Sequence, residues 1–144
     1  MNKVMHAALN LLARREYSQK ELKQRLMTKF PQTDVEEVIA QCLRQRLLSD
    51  ERFVESRIRH RVQQGYGPNW IEQELYQCGI DRELIENYLP QDEDYWVEQA
   101  LCIIQKKWSH QESQLPKIQR YMFQKGYRTS HIRQALNMMN TREI

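Results

Sequence analysis

The 144-residue sequence is poor in the residues that make tight turns, with only four glycines and four prolines. An all-β sandwich or barrel needs many such turns, so this scarcity argues strongly against one. The three cysteines, Cys42, Cys78 and Cys102, are odd in number and widely spaced, so neither a disulfide framework nor a zinc motif follows. We therefore expect reduced thiols and a cytoplasmic location.

Long apolar runs and catalytic motifs are missing as well. No uncharged apolar stretch approaches the roughly 18 to 20 residues of a membrane span, and Arg14 and Arg15 end the apolar N-terminal segment too early for a secretion signal. No GxGxxG, P-loop, HExxH or CxxC pattern occurs. The histidines are scattered, and Cys102 and His110 have no third ligand near them. We expect no membrane span, no metal, no cofactor and no enzymatic activity.

The net charge of +3 is mild, and its distribution is uneven. Residues 1–48 carry nine basic and five acidic side chains, residues 49–90 carry five and eight, and residues 91–144 carry eight and six. The helix pair expected at 69–89 has one arginine and five acids. This balance argues against a helix that reads the major groove of DNA.

Helical periodicity runs through nearly the whole chain and predicts an all-α fold. Capping boxes at Ser18–Glu21 and Thr33–Glu36 predict two helix starts, and Ser49, Pro68 and Asp81 predict three more. The expected buried faces of the first and third helices include Leu9, Leu43 and Leu47. A polar loop is expected at 109–114.

The helices form a repeating pattern. QCGIDRELIENYL at 77–89 aligns without gaps to QKGYRTSHIRQAL at 124–136, with Gln, Gly, Ile and Leu in common. The pattern repeats about every 45 residues, which is typical of helical-repeat proteins. The units of such proteins stack because each is too small to bury its own apolar face. We predict three tandem three-helix repeats, at 1–48, 49–90 and 91–144.

One helix places cations among its apolar residues. At 100° per residue, Arg57 and Arg61 fall inside the arc that runs from Phe53 to Val62. Either they form internal ion pairs, with Glu72 or Glu74 as partners, or they line a cationic groove that meets phosphate or an acidic protein surface. Arg52 and Arg59 point to the other side of the helix, as solvated charges.

Aromatic residues occur beside basic ones in two stretches. They suit either packing between repeats or a surface for protein contact and base stacking. We expect core packing for Trp108 and Phe123, and exposure for Trp70. The aromatic residues are Tyr66, Trp70, Tyr76, Trp108, Tyr121, Phe123 and Tyr127, and the cations are Lys106, Lys107, Lys117, Arg120, Lys125 and Arg128.

The middle of the chain, LLSDERFVESRIRHRVQQGYGPNWIEQELYQCGI at 47–80, strongly resembles the RecX family. The family pattern has L-x-D-x-R-F-x-E-S, then R-x-R, a G-Y-G-P loop and I-x-x-E-L-x-x-K-G-I. Residues 8–26 and 117–127 also look like their RecX counterparts. The chain departs from the pattern at Trp70 and Cys78, where basic residues are usual. The matching residues are Leu48, Asp50, Arg52, Phe53, Glu55, Ser56, Arg59, Arg61, Gly65, Tyr66, Gly67, Pro68, Ile71, Glu74, Leu75, Gly79 and Ile80.

The resemblance implies a monomeric, non-enzymatic regulator of the RecA recombinase. RecX-like proteins bind RecA filaments on single-stranded DNA, block filament growth and lower RecA's ATPase, strand-exchange and coprotease activities. The implied fold is three three-helix units in an elongated, curved array that lies in the filament groove. The expected contact residues are Arg57, Arg59, Arg61, Tyr66, Trp70, Lys117, Arg120, Lys125 and Arg128. The alternatives are a sequence-tolerant DNA-binding module and a helical scaffold for an unrelated partner.

Overall fold

The computed structural model describes residues 2–108 and 114–142. Within these ranges the regular structure is entirely helical, as the all-α prediction requires, and it comprises nine helices. Most of the predicted polar loop, with His110, lies outside the described residues. The helices are α1 (Asn2–Arg14), α2 (Gln19–Met27), α3 (Gln32–Arg44), α4 (Asp50–Gln63), α5 (Pro68–Gln77), α6 (Arg82–Tyr88), α7 (Glu93–Trp108), α8 (Leu115–Gln124) and α9 (Thr129–Arg142).

The chain divides into two compact units. Unit 1 comprises Met1–Arg57 and Leu75–Ile85, and unit 2 comprises Ile58–Glu74 and Glu86–Ile144. Helices α4, α5 and α6 therefore each supply residues to both units. The division into three tandem repeats stays a prediction.

In unit 1, helices α1, α2 and α3 pack against one another. Their shared core is aliphatic and almost fully removed from water, which is the main source of stability for so small a unit. Burial raises the pKa of the Cys42 thiol, whose Sγ lies 3.9 Å from the sulfur of Met5. The core residues are Val4, Ala8, Leu22, Leu26, Val35, Val38, Ile39, Cys42 and Leu48.

The start of α2 is fixed by two groups. The Ser18 hydroxyl accepts a hydrogen bond from the Glu21 N–H at 3.1 Å, and the Glu21 carboxylate accepts one from the Ser18 N–H at 3.3 Å, which confirms the first capping box. Asp50 accepts two further bonds from Gln19, at 2.8 and 3.1 Å. Burial raises the pKa of Asp50, and these two bonds counter part of that rise. The acidic residue of the L-x-D-x-R-F pattern is therefore structural here.

The second predicted capping box is wrong. Helix α3 begins at Gln32 with Pro31 as its N-cap, and the Pro31 carbonyl already accepts the Val35 N–H at 3.1 Å. Thr33 therefore lies inside the first turn, where its hydroxyl cannot cap the helix. The Glu36 carboxylate instead accepts bonds from Gln32 at 2.9 Å and Lys23 at 3.2 Å, and both lower its pKa.

Two further expectations for unit 1 need correction. Arg52 is not a plain solvated charge, because its guanidinium pairs with Glu16 at 3.1 Å and donates to the Arg46 carbonyl at 2.8 Å. Arg46 has a positive φ of 59°, so this bond stabilises an unfavourable turn. The predicted buried faces were also too wide, because their outermost leucines are partly exposed: Leu9, Leu43 and Leu47.

In unit 2, α7, α8 and α9 pack against one another, with α9 lying along α7. The indole N–H of Trp96 donates to the Pro90 carbonyl at 2.7 Å, which satisfies the polar atom of a side chain that is otherwise buried. The buried apolar residues of these three helices are Trp96, Val97, Ala100, Leu101, Ile104, Trp108, Ile118, Met122, Ile132 and Ala135.

Candidate interaction surface

The G-Y-G-P turn between α4 and α5 is joined to the turn between α8 and α9 by three hydrogen bonds. The Gly67 N–H donates to the Lys125 carbonyl at 2.7 Å, and the Asn69 N–H donates to the Gly126 carbonyl at 2.9 Å. The Arg128 guanidinium then donates to the side-chain oxygen of Asn69 at 3.1 Å. Both turns belong to unit 2, so the motif fixes the surface from which Tyr66 and Trp70 project.

Two glycines permit this close approach. A Cβ atom at Gly67 would lie 2.7 Å from the Gly126 and Tyr127 backbones, and one at Gly126 would lie 2.5 Å from the Trp70 nitrogen. Gly126 also has φ +97°, a conformation that other residues rarely adopt. Close backbone contact in unit 2 therefore requires glycine at Gly67 of the motif and at Gly126 of the facing turn.

Tyr66 and Trp70 stack on each other beside a lysine. Their ring centroids are 3.9 Å apart at an interplanar angle of 24°. The Lys125 ammonium lies 4.0 Å from the Tyr66 centroid, which is within cation–π distance. Trp70 is half-buried by this stack and is not the freely exposed ring that the sequence predicts.

A second pair of rings, also beside a lysine, lies on α7 and α8. Trp108 and Tyr121 meet edge to face at 5.2 Å, and the Lys107 ammonium lies 3.8 Å from the Tyr121 centroid. Lys125 reaches to 5.9 Å from the same tyrosine. Lys125 thus links the two ring pairs into one cluster. We call it the cation–aromatic cluster, and its members are Arg61, Tyr66, Trp70, Lys107, Trp108, Tyr121 and Lys125.

Arg61 is held by an ion pair within unit 2. Its guanidinium donates two bonds to the Glu74 carboxylate, at 2.8 and 2.9 Å, and a third to Gln64 at 2.7 Å. The first of the two alternatives is therefore confirmed for Arg61, with Glu74 as its partner. The guanidinium also lies 5.3 Å from the Trp70 ring, so it supports the stack. Arg57 lies with its guanidinium 4.9 Å from the Phe53 ring.

Helices α8 and α9 present exposed cations. Lys117 and Arg120 are exposed on α8, Arg128 is exposed in the turn before α9, and Arg59 is exposed on α4. Residues 115–142 contain six lysines and arginines and no aspartate or glutamate. Sequence reasoning missed this run because it summed charge over the whole of residues 91–144, where the acids near the start of α7 mask it. A surface rich in cations attracts phosphate or carboxylate groups.

The aromatic side chains of this region divide between core and surface. Trp108 and Tyr127 are buried, so core packing is confirmed for Trp108. Core packing is wrong for Phe123, which is 63% exposed. Ile118 and Met122 define the buried side of α8, and Phe123 lies about 120° from their midpoint at 100° per residue. The helical wheel therefore contained the signal that places Phe123 outside.

Two buried polar atoms near this surface lack a hydrogen-bond partner, Tyr127 Oη and His131 Nδ1. Burial raises the pKa of Tyr127 and lowers that of His131. The described residues contain no group of histidine, cysteine and carboxylate side chains that could hold a metal ion. Cys42, Cys78 and Cys102 are not joined in disulfides. None of the helices in the described ranges is long and apolar enough to cross a membrane.

Comparison with known proteins places these features in a family. A family model described as "RecX, first three-helix domain" matches residues 5–42, and one described as "RecX, second three-helix domain" matches residues 49–89. Regulatory protein RecX of Legionella pneumophila (strain Corby) is 44% identical over 132 residues, which cover 88% of each chain. Regulatory protein RecX of Haemophilus influenzae (strain PittEE) is 37% identical over 128 residues, 84% of each chain.

The fold is shared with solved structures. A crystal structure of RecX from Lactobacillus salivarius has a TM-score of 0.81, covering 97% of this chain and 96% of its own at 23% identity. This is therefore an all-α protein with two three-helix domains of a known regulatory class. The chain belongs to the RecX family of regulatory proteins.

Proposed function

We propose that this chain regulates the RecA recombinase without catalysing a reaction of its own. It binds RecA filaments on single-stranded DNA, blocks their growth and thereby lowers ATPase, strand-exchange and coprotease activity. Membership of a family of regulatory proteins carries this proposal. We further propose that it acts in the cytoplasm as a monomer, with no cofactor or metal.

The basic surface of α8 and α9 supports a partner with carboxylate or phosphate groups. Lys117 and Arg120 of α8 and Arg128 of the turn before α9 are exposed, and residues 115–142 contain no acidic residue. The proposed contact surface adds Tyr66, Trp70 and Lys125 of the cation–aromatic cluster and Arg59 of α4. Arg61 contributes by supporting the Trp70 ring, since Glu74 holds its guanidinium. Arg57 completes the proposed set.

The direct test is ATP hydrolysis by RecA filaments on single-stranded DNA during titration with this protein. We expect inhibition below one protein per RecA subunit, because blocking growth at few sites affects many subunits. An unrelated DNA-dependent ATPase serves as the control and should be unaffected. Equal inhibition of both enzymes would instead indicate simple competition for DNA.

A second candidate function is sequence-tolerant binding of DNA. The cation–aromatic cluster favours it, because flat rings beside ammonium groups suit base stacking next to a phosphate backbone. This function predicts an affinity for single-stranded DNA that falls steeply with salt, at a slope set by the number of phosphates neutralised. A chain with neither RecA inhibition nor salt-sensitive DNA binding would be a scaffold for an unrelated partner.

A further inference from the structure

A surface groove lies between α8 and α9 within unit 2. It has a volume of about 520 Å³, enough for one or two side chains of a partner. The buried Ile132 contributes to its wall, and Phe123 lines it from α8. The groove is lined by Gln119, Arg120, Phe123, Thr129, Ile132 and Arg133.

Phe123 is unusual among the exposed apolar residues of the described chain. Its side chain is 63% exposed, whereas the other large apolar residues on the surface are 36% to 42% exposed. A single exposed apolar residue needs no explanation by itself. Phe123, however, lines a groove, and exposed aromatic rings in such positions are frequent anchors of protein interfaces.

The charges around the groove have one sign. Arg120 and Arg133 line it from α8 and α9, and both are exposed. No carboxylate lines it, and residues 115–142 contain none that could pair with these arginines locally. A guanidinium binds a carboxylate through two parallel hydrogen bonds. Two arginines beside the apolar side chains of Phe123 and Ile132 therefore suit a peptide with acidic side chains.

We propose that this groove binds a short acidic segment of a protein partner, with one large apolar side chain seated against Phe123 and Ile132 and its carboxylates on Arg120 and Arg133. The inference rests on the proposed function in one respect, namely that the chain has a protein partner. It adds the chemical class of the segment and the residues that recognise it. Phe123 and Arg133 are not part of the surface proposed above.

An acidic peptide fits this groove better than a nucleic acid. A strand of DNA or RNA requires cations spaced along its backbone and rings on which successive bases stack. The groove has one ring and two arginines around an aliphatic wall, which matches one apolar side chain between carboxylates. The stacked rings of the cation–aromatic cluster are the better site for bases.

The test uses the full chain and labelled peptides of about a dozen residues. The probe is half acidic with one central phenylalanine. In one comparison peptide alanine replaces that phenylalanine, and in another glutamines replace the acids. We expect fluorescence anisotropy to detect binding of the probe, with each comparison peptide at least about tenfold weaker. The amide NMR signals of residues 119–133 should shift on binding. Equal binding of all three peptides would overturn the proposal.

Variants of the chain complete the test. Phe123→Ala, and separately Arg120→Gln with Arg133→Gln, should each weaken binding of the probe by about tenfold or more. Lys106→Gln is the matched control, because it removes an exposed cation of α7 that neither lines the groove nor belongs to the proposed contact surface; its affinity should stay within about twofold. Phe123 is exposed, so its truncation opens no core, and a thermal unfolding curve will verify the fold. Unchanged binding by Phe123→Ala would overturn the proposal.

Binding of an oligothymidylate of similar length distinguishes a nucleic-acid partner from an acidic peptide. If it binds more tightly than the acidic probe and loses affinity on Phe123→Ala, the groove is a nucleic-acid site and the proposal fails. The RecA ATPase assay separates this inference from the proposed function. Probe binding without RecA inhibition would refute only the proposed function, whereas RecA inhibition without probe binding would refute only the groove.

Discussion

Helices α2 and α3 of unit 1 carry charges of both signs, whereas the charged side chains of helices α8 and α9 of unit 2 and of the turn between them, residues 115–142, are all basic. Residues 19–44 contain five basic and four acidic side chains, and a salt bridge joins Lys23 to Glu36 at 3.2 Å. The helices next to them behave similarly, because Arg15 pairs with Glu21 and Arg52 pairs with Glu16. In this part of unit 1, cations meet carboxylates of the same unit.

Residues 115–142 contain six cations and no acid, so no carboxylate within this stretch balances its basic side chains. Lys125 lies over the Tyr66 ring instead, and Arg128 bonds to the uncharged amide of Asn69. A cation over a ring keeps its full charge and can still attract an anion. The two helix pairs thus have similar secondary structure but differ in the charge they offer to a partner.

The largest expected effect comes from removing the unbalanced charge. Replacement of Lys117, Arg120, Lys125 and Arg128 by alanine should abolish inhibition of RecA ATPase, because it leaves α8 and α9 with little positive potential. The measurement is the ATPase titration described above, with circular dichroism to verify the fold. Undiminished inhibition would refute this surface.

A control of equal charge sharpens that result. Replacement of Lys3, Arg14, Lys29 and Arg44 by alanine removes four exposed cations from unit 1. It should leave inhibition largely intact, because the change in net charge is the same but α8 and α9 are untouched. Similar losses in both variants would mean that net charge, not position, governs binding.

The next effect concerns two glycines of unit 2 that follow helices, Gly65 after α4 and Gly126 after α8. Gly126→Ala should lower the free energy of unfolding by about 3 kcal/mol or more, because φ is positive and the Trp70 backbone blocks the methyl group. Gly65→Ala isolates the cost of positive φ, since its Cβ meets only Ile103 at 3.8 Å, and should cost about 1–2 kcal/mol. Urea unfolding measures both. Equal losses of unfolding free energy in the two variants would show that the contact with Trp70 adds nothing to the cost of Gly126→Ala.

A smaller effect separates an internal ion pair from a surface one. Arg61→Met should cost about 2 kcal/mol, because it leaves Glu74 without its guanidinium at a side chain only 16% exposed. Lys23→Met should have no measurable effect, because that pair is exposed on both sides. Adding Glu74→Leu to Arg61→Met should recover most of the loss, and failure to recover would point to an additional role for Arg61.

The smallest effect is a dependence on pH. Burial, with Arg128 nearby, holds the pKa of His131 below its usual 6.5, although Glu93 acts in the opposite direction. The unfolded chain therefore takes up more protons as the pH falls through about 6.5, and the free energy of unfolding should decrease from about pH 7.5 to about pH 5.5. His131→Gln should flatten this decrease. The control His6→Gln replaces an exposed histidine of α1 and should leave the decrease as it is in the wild type. An identical slope in the wild type and His131→Gln would exclude His131 as the cause.

Sequence patterns located the helices well where a local signal decides the boundary. Ser18 and Asp81 cap helices as predicted, since their side-chain oxygens accept bonds from nearby backbone N–H groups. Pro68 opens α5 as predicted. The capping box predicted at Thr33 is wrong because the helix already begins at Gln32, after Pro31. The preference of threonine for the N-cap position does not outweigh this earlier start.

The candidate surface was only partly predictable. The pairing of Arg61 with Glu74 was one of two open alternatives. A helical wheel shows which face of the helix carries Arg61 but does not identify the partner of its guanidinium. The bond from Arg128 to Asn69, which joins two turns beside the stack of Tyr66 on Trp70, links residues 59 positions apart. No local pattern encodes a contact at that distance.

The bonds that join distant turns also set an order for folding during synthesis. In unit 1 the Ser18 hydroxyl donates to the Cys78 carbonyl at 2.7 Å, and the unit ends at Ile85. In unit 2 the G-Y-G-P turn has to wait for Lys125 and Gly126. Domains fold as units, with N-terminal ones first as the chain emerges from the ribosome. Unit 1 can therefore acquire all its contacts while α8 and α9 are still being made, and the basic surface is assembled after unit 1.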